Sequence, residues 1–251
     1  MNKSILGVFI LYTSVCFSQE NNFLAKYKIN YKPINFDSIA KKNITKGKKT
    51  KFDKMFLSVL KTLKSSSYEL NKIQFVLEYN KSASVFHKKP LLEIDANRLH
   101  LLTTLLGIGI KGEKYFVNSK VTINQKNSFG QDFLVNTPKV NWILSNISKK
   151  IGQYECYKAT TEVEKRNSSG ISIKKITAWF CPKIPFNFGP KYYSGLPGLI
   201  VKLQDRNYIE YELVKIEKTK KRTIKFPKKG KKISYVDFMK LSKKMFDNRK
   251  N

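Results

Sequence analysis

Two histidines, two tryptophans and three cysteines in 251 residues leave little from which to assemble a metal centre or a nucleophile–base pair. No Walker loop, HExxH, GxSxG or CxxC occurs, so the chemistries those spacings serve have no foothold. Acid is also scarce: 18 Asp and Glu stand against 49 Lys and Arg, a net charge of +31. Beyond the N-terminus no stretch approaches the roughly 18 uncharged apolar residues of a membrane-spanning helix. Pro- or Ser-rich linkers and internal repeats are missing too, which favours one domain.

Such a charge would ordinarily suggest nucleic acid. Here only five of the basic residues are Arg, and the 44 Lys are spread along the whole chain. Base-edge readout relies on Arg forks and clustered patches, so no nucleic-acid partner is expected. A general attraction to anionic lipid headgroups or acidic glycans is compatible with the charge. A solvated cationic surface is the simpler reading.

Met1-Asn2-Lys3 followed by the apolar run Ile5 to Leu11 has the layout of a secretory signal peptide, and Cys16-Phe17-Ser18 before Gln19 supplies a small-x-small cleavage site. The expectation is a signal peptide over 1–18, cleavage near Ser18-Gln19, and a single β-rich domain over 19–251 exported to the periplasm or the medium. Acylation at Cys16 fits poorly with the preceding Thr13-Ser14-Val15.

Alternation predicts strands at Tyr27 to Tyr31, a hairpin of Leu70 to Tyr79 with Ser82 to His87, and strands at Tyr115 to Ile123, Phe133 to Asn136 and Val140 to Ser145. Further strands are predicted at Tyr154 to Glu164, Leu199 to Leu203, Tyr208 to Glu217 and Thr223 to Phe226. Helical spacing of Phe52, Met55, Phe56, Val59, Leu60 and Leu63 predicts an amphipathic helix. A short helix is expected over Asp95 to Leu106, and Ser234 with Asp237 caps a last one running to about Asn248.

Cys156 and Cys181 each lie eleven residues from the turn Asn167-Ser168-Ser169-Gly170. Pairing in that register sets the cysteines opposite one another, with Lys158 opposite Trp179, Thr160 opposite Thr177 and Glu162 opposite Lys175. The other face joins Tyr157 to Phe180, Ala159 to Ala178 and Thr161 to Ile176. One face then gains an opposite-charge pair and a lysine over an indole, while the other is mostly apolar; a one-residue slip loses both. In an oxidising compartment the pair is expected to form a disulfide, which for a loop of this size stabilises by about 3 kcal/mol. Two thiols with the distant His87 and His100 make a poor ligand set, so no metal and no cofactor is expected.

Downstream run Ala178-Trp179-Phe180-Cys181 with Pro185, then Gly189-Pro190, then Gly195-Leu196-Pro197-Gly198-Leu199-Ile200. Upstream lie Trp142 and Ile151-Gly152-Gln153-Tyr154-Glu155-Cys156-Tyr157-Lys158-Ala159. Over about Trp142 to Leu203 this assembly resembles the GLPGLI family of exported bacterial proteins, whose name is that hexapeptide and for which no activity is established. Gly195 and Gly198 permit backbone angles closed to other residues, and Pro197 fixes φ. A tight turn anchoring one strand, with Leu196 as its apolar plug, is the expected role; a ligand- or partner-contacting loop is the alternative. The motif holds no nucleophile, acid, base or metal ligand, so no catalytic residue is assigned.

Gly107 to Gly112 matches GxGxxG, but the residues after it read as strand, so no dinucleotide site is expected. Glu93 and Asp95, and likewise Glu162 and Glu164, are read as ordinary or cross-strand-paired carboxylates.

The fold expected is mainly β (α+β): a strongly curved antiparallel sheet or half-barrel with two or three helices. Its outline resembles periplasmic lipoprotein carriers such as LolA, in architecture only. The function expected is a non-enzymatic envelope protein, monomeric, that binds a lipid or other apolar ligand or another envelope protein. The rivals are a carboxylate-dependent envelope enzyme and an assembly partner of an outer-membrane system.

Overall fold

Eleven consecutive cross-strand pairs, from Tyr157 opposite Phe180 to Asn167 opposite Gly170, set the central hairpin in the register that its turn and side chains dictate. Ala159, Ala178, Thr161, Ile176 and Phe180 are buried on one face of it. The cation resting over the Trp179 indole is Lys149, 3.9 Å from the ring centroid, rather than Lys158. Lys149 stands opposite Cys156 on the next strand and reaches the indole across the sheet.

The computed structural model describes residues 21–31, 53–54, 57–58, 70, 73–90, 110, 112–167, 170–206, 209–220 and 223–248. Its strands are β1 (Asn22–Tyr31), β2 (Gln74–Tyr79), β3 (Ala83–Lys88), β4 (Lys114–Asn118), β5 (Thr122–Ser128), β6 (Gln131–Asn136), β7 (Ile143–Ile151), β8 (Tyr154–Asn167), β9 (Gly170–Cys181), β10 (Leu199–Arg206), β11 (Ile209–Thr219) and β12 (Lys231–Ser234). One helix follows, α1 (Tyr235–Asp247). The strands form one twelve-stranded sheet in the order β12-β6-β5-β4-β3-β2-β1-β11-β10-β9-β8-β7, antiparallel except where β12 joins β6.

Three expectations are corrected. The strand predicted over Tyr115 to Ile123 is two, β4 and β5. Asn118 folds the chain back between them, its Oδ1 accepting the amides of Lys120 and Val121 at 2.8 Å, a local turn chemistry that the apolar alternation had hidden. Residues 223–226 form no strand, and the edge strand is β12 instead. In place of two or three helices, the described residues hold α1 alone, with isolated helical residues at 53–54 and 57–58. The rest of the helix predicted from Phe52 and the whole of that predicted from Asp95 lie outside the described residues. So do the expected signal peptide and most of the GxGxxG match. Ser234 begins α1 with a capping box: its Oγ accepts the Asp237 amide at 3.1 Å and donates to the Asp237 carboxylate at 2.7 Å.

Strand order and linker length together dictate the shape. β6 and β7 stand second and last in the sheet, yet residues 137–142 suffice to join them. In a flat sheet those strands would lie roughly 48 Å apart, at about 4.8 Å per step. A link of this length reaches only about 25 Å. The sheet therefore curls until its ends approach, while β12 and β7 remain edges and no barrel closes.

The inner face of the curl is filled. Tyr27, Phe75, Phe86 and Tyr211 meet ring to ring at 5.2–6.0 Å. Phe186, from the segment between β9 and β10, packs on Phe23 and Tyr79. At the other end Phe238 of α1 stands edge-on to Phe133, with Lys126 over its ring. The outer face carries an ion ladder, Lys26–Glu217, Lys28–Glu212 and Lys202 to both Glu210 and Glu212.

The hexapeptide fastens this interior. Leu196 and the run Leu199 to Val201 are buried. The amides of Leu199 and Ile200 donate to the carbonyls of Ile184 and Phe188 at 3.0 Å, and the Tyr27 hydroxyl donates to the Ile200 carbonyl at 2.7 Å. Gly198 has φ +150°, and a Cβ there would fall 2.3 Å from the Cys181 carbonyl oxygen. Gly198→Ala should therefore destabilise by about 2–4 kcal/mol in urea unfolding, while Gly112→Ala, where nothing lies within reach, should shift the midpoint little. Equal midpoints for the two variants would refute the anchoring role.

Candidate functional site

Where the two ends of the sheet approach, a cavity of about 600 Å³ opens. Val140 and Ile143 enter it from the β6–β7 link and the start of β7, Val163 from β8, Tyr192 from the β9–β10 segment, and Tyr235 and Val236 from α1. Polar residues stand among them: Thr160 and Thr161, Glu162 and Glu164, Lys175, and Lys139, whose ammonium donates to the Ser119 carbonyl at 2.8 Å. The link itself is tied down by Trp142, whose Nε1 donates to the Ser194 carbonyl at 2.8 Å, one residue before the hexapeptide.

Behind the Tyr192 wall lies a buried ion cluster. Tyr192 stacks on Tyr193 with centroids 4.5 Å apart, and the Tyr193 hydroxyl donates to Asp205 Oδ1 at 2.9 Å. The Lys174 ammonium stands 3.5 Å from the same oxygen, and Lys191 is bonded to the other. Asp205 follows Val201 and Leu203 on the inner face of β10, at a register shift between Gln204 and Arg206 in the β10–β11 pairing. Lys191 adopts φ +59°, a left-handed conformation unusual for a residue with a Cβ. Tyr115 faces Tyr192 at 6.0 Å and continues the polar band to Glu113, which also binds Lys126 at 3.0 Å and Asn124 at 3.2 Å.

Burial alone would raise the Asp205 carboxyl pKa, but Lys191 and Lys174, with the Tyr193 hydroxyl, hold it far below the usual carboxylate range. Glu113 is likewise lowered, burial being outweighed by Lys126 and by hydrogen bonds from Tyr115 and Asn124. Burial pushes the Tyr192 hydroxyl up to about 12, with the Asp205 charge adding to it, so the cavity wall presents a neutral phenol.

Of the residues singled out by sequence, Gly195 to Ile200 with Gly189 and Pro190 do not line the cavity: Leu196, Leu199 and Ile200 belong to the core, Gly189, Pro190 and Gly198 are buried, and Gly195 and Pro197 are exposed. A Cβ on Gly189 would strike the Ile200 side chain at 2.6 Å. Pro185 is exposed on the same segment, and Trp179 lies half-buried under Lys149. Cys156 and Cys181 are free thiols, both buried, one step beyond the last paired residues of the hairpin. Burial, and next the neighbouring Cys181, push the Cys156 thiol up to about 12, which leaves it a poor nucleophile. His87 pairs with Glu78 at 3.2 Å on the sheet. Glu93, Asp95 and His100 lie outside the described residues. Among the described residues no group of three His, Cys, Asp or Glu side chains could hold a metal. Nor, among them, is any helix long and apolar enough to cross a membrane, which leaves strand-crossing untouched.

Sequence reasoning missed Asp205, Lys174, Lys191 and the Tyr192-Tyr193 pair. Asp205 sits in Gln204-Asp205-Arg206-Asn207, which reads as a plain polar turn. The one available signal was two adjacent tyrosines beside Gly189-Pro190.

A curled β-sheet with a tyrosine-walled cleft at its seam is thus the class of protein that the geometry defines. Residues 167–202 match the sequence model of a family described as a protein of unknown function (Porph_ging). No curated protein matches the chain. Among solved structures it is similar to PNGF-II in two crystal forms, C2 and P21, at 11% and 12% identity with TM-scores of 0.49 and 0.48. Those alignments cover 88% of this chain but only 32% and 33% of the PNGF-II chains, so this chain spans about a third of their length. An uncharacterized conserved protein from Thermus thermophilus aligns at 8% identity and TM-score 0.33, covering 86% of this chain and 91% of that one.

Asp205 stabilises the fold while charged. Because its folded pKa is depressed, that contribution is present above the unfolded value of about 4 and is lost as pH falls through the folded one. Asp205→Asn removes the carboxylate that faces two half-buried ammonium groups and should cost about 3 kcal/mol at pH 7 in urea unfolding. The difference from wild type should shrink only in strong acid; a difference that vanishes already at pH 5 would remove Asp205 from the cluster's energetics. For the thiols, we propose that export oxidises Cys156 and Cys181 to a disulfide. Thiol titration under denaturation should then find none in protein recovered from an oxidising compartment and two after reduction. The oxidised form should be more stable by about 3 kcal/mol. Two free thiols in the exported protein would rule out the bridge.

Proposed function

We propose that this chain is an exported, non-enzymatic envelope protein that holds a small amphiphile in the cleft at the seam of its sheet. The observation that carries the reading is the cleft lining: valine, isoleucine and tyrosine walls with acidic and basic residues among them. Such a mixture accepts a short apolar body with a zwitterionic head, and the volume lies within the usual range of ligand sites. The filled inner face argues against an acyl chain in the hollow of the curl and moves the ligand to the seam. Within this proposal the outline is a half-barrel of the lipoprotein-carrier kind. The Porph_ging match and the GLPGLI signature are here taken to describe one family.

The second reading, a carboxylate-dependent envelope enzyme, is favoured by Glu162 and Glu164 both lining the cleft. Calorimetric titration with a short-chain alkylphosphocholine below its micelle concentration distinguishes the two. Wild type should bind it, and Val163→Trp, which fills the cleft, should weaken binding at least tenfold with an unchanged melting temperature. Undiminished binding in Val163→Trp would reject the cleft as the site. Turnover of envelope glycan by wild type, lost in Glu162→Gln, would replace binding with catalysis.

A further inference from the structure

The chain from β11 to β12 crosses the outer face of the sheet. It leaves β11, eighth in the strand order, and rejoins the sheet at β12, the first. On the way Phe226 packs on Phe116 of β4, 5.6 Å between centroids, on the side away from Tyr115 and the inner core. Seven strand steps amount to roughly 34 Å. The described part of the segment, residues 223–230, therefore lies across the outside as a strap, with Phe226 seated on β4.

Its charge is one-sided. No acidic residue occurs between Glu217 and Asp237. The seven described lysines from Lys218 to Lys232 are all exposed. None of them has an ion-pair partner among the described residues, whereas Lys26, Lys28, Lys202 and Lys215 on the adjoining strands all do. Apolar groups are interspersed: Ile224, Phe226 and Pro227 are half-buried.

We propose that this strap is a docking surface for an anionic lipid bilayer. Lysines placed against such a surface act additively through its negative potential. The apolar groups between them gain from the headgroup–acyl boundary, a gain that the hydroxyls of an acidic glycan would not supply. The array reaches from β11 to β12, seven strand positions apart, which suits an extended surface rather than a single small anion. The strap lies on the outer face and the cleft at the seam, so both can be occupied together, and neither reading depends on the other.

The test is co-sedimentation of the purified protein with vesicles of phosphatidylcholine alone or mixed with phosphatidylglycerol. Binding should require the anionic lipid and fall steeply from 0.1 M to 1 M salt as the Debye length contracts from about 10 to about 3 Å. Each lysine near the surface is worth about fivefold, so the triple variant Lys225→Glu, Lys228→Glu, Lys229→Glu, which reverses three charges, should lose more than about a hundredfold. A second triple, Lys81→Glu, Lys120→Glu, Lys150→Glu, has the same net charge and should stay within about tenfold of wild type. If the strap triple melts lower than wild type, the Gln triple at the same positions replaces it, with a loss of about a hundredfold expected. Equal losses in strap and control variants would overturn the proposal in favour of bulk charge. Equal binding to neutral vesicles would overturn it, and so would retention on polygalacturonate with none on vesicles.

Discussion

Residues 137–142 impose the constraint from which the rest follows. A chain that must pass from the second strand of a twelve-stranded sheet to the last in so few residues has no flat solution. The curl gives the sheet an inner and an outer face, and it brings α1 beside β8, which stand at opposite ends of the strand order. The cleft is the space left where the ends approach without hydrogen-bonding. Its existence is a consequence of topology, whereas its chemistry belongs to the side chains that happen to face it.

A curled interior must be filled, and the segment between β9 and β10 does so. Phe186, Phe188, Tyr193 and Leu196 all come from it. Its amides and carbonyls are satisfied on the way, Gly195 donating to Asn187 at 2.8 Å and Gly198 to Leu196 at 2.8 Å. The hexapeptide is thus the end of a plug: glycine is required at 198 because the backbone of Cys181 and Pro182 occupies the place of a side chain. A motif made of glycine, proline and leucine carries no reactive group, and its position accounts for it without one.

What the sequence disclosed follows the range of the interactions involved. The β8–β9 register was legible because turn, charge pair and apolar pairs are local and mutually consistent. The capped start of α1 was legible for the same reason. The division between β4 and β5 was not, since Asn118 makes its turn with a side chain that alternation does not register. Neither the neighbourhood of β1 and β11 nor that of β6 and β12 leaves a mark on either partner alone. The Asp205 cluster was illegible for a further reason. It gathers Lys174 from β9, Lys191 and Tyr193 from the plug, and an aspartate from a bulge in β10, four residues unremarkable singly. The seam cleft depends on the curl, so its lining could not be named before the strand order was known.

The cluster and the cleft are coupled through one turn. Pro190 accepts the Tyr193 amide at 3.3 Å, and between them Lys191 holds a conformation that costs on the order of 1 kcal/mol for a residue with a Cβ. The bond from Lys191 to Asp205 opposes that cost, and Tyr193 is fixed by the same carboxylate. Tyr192, flanked by these two, has its ring stacked on Tyr193 on one side and facing Tyr115 on another. A buried ion pair is weak grounds for claiming net stability, since desolvation consumes most of its attraction. Its better-supported effect is to select one arrangement among several. Here the arrangement selected is that of the cleft wall, with Tyr192 set between Tyr193 and Tyr115; were the proposed ligand to bind there, a wall already ordered would lower the entropy lost on binding.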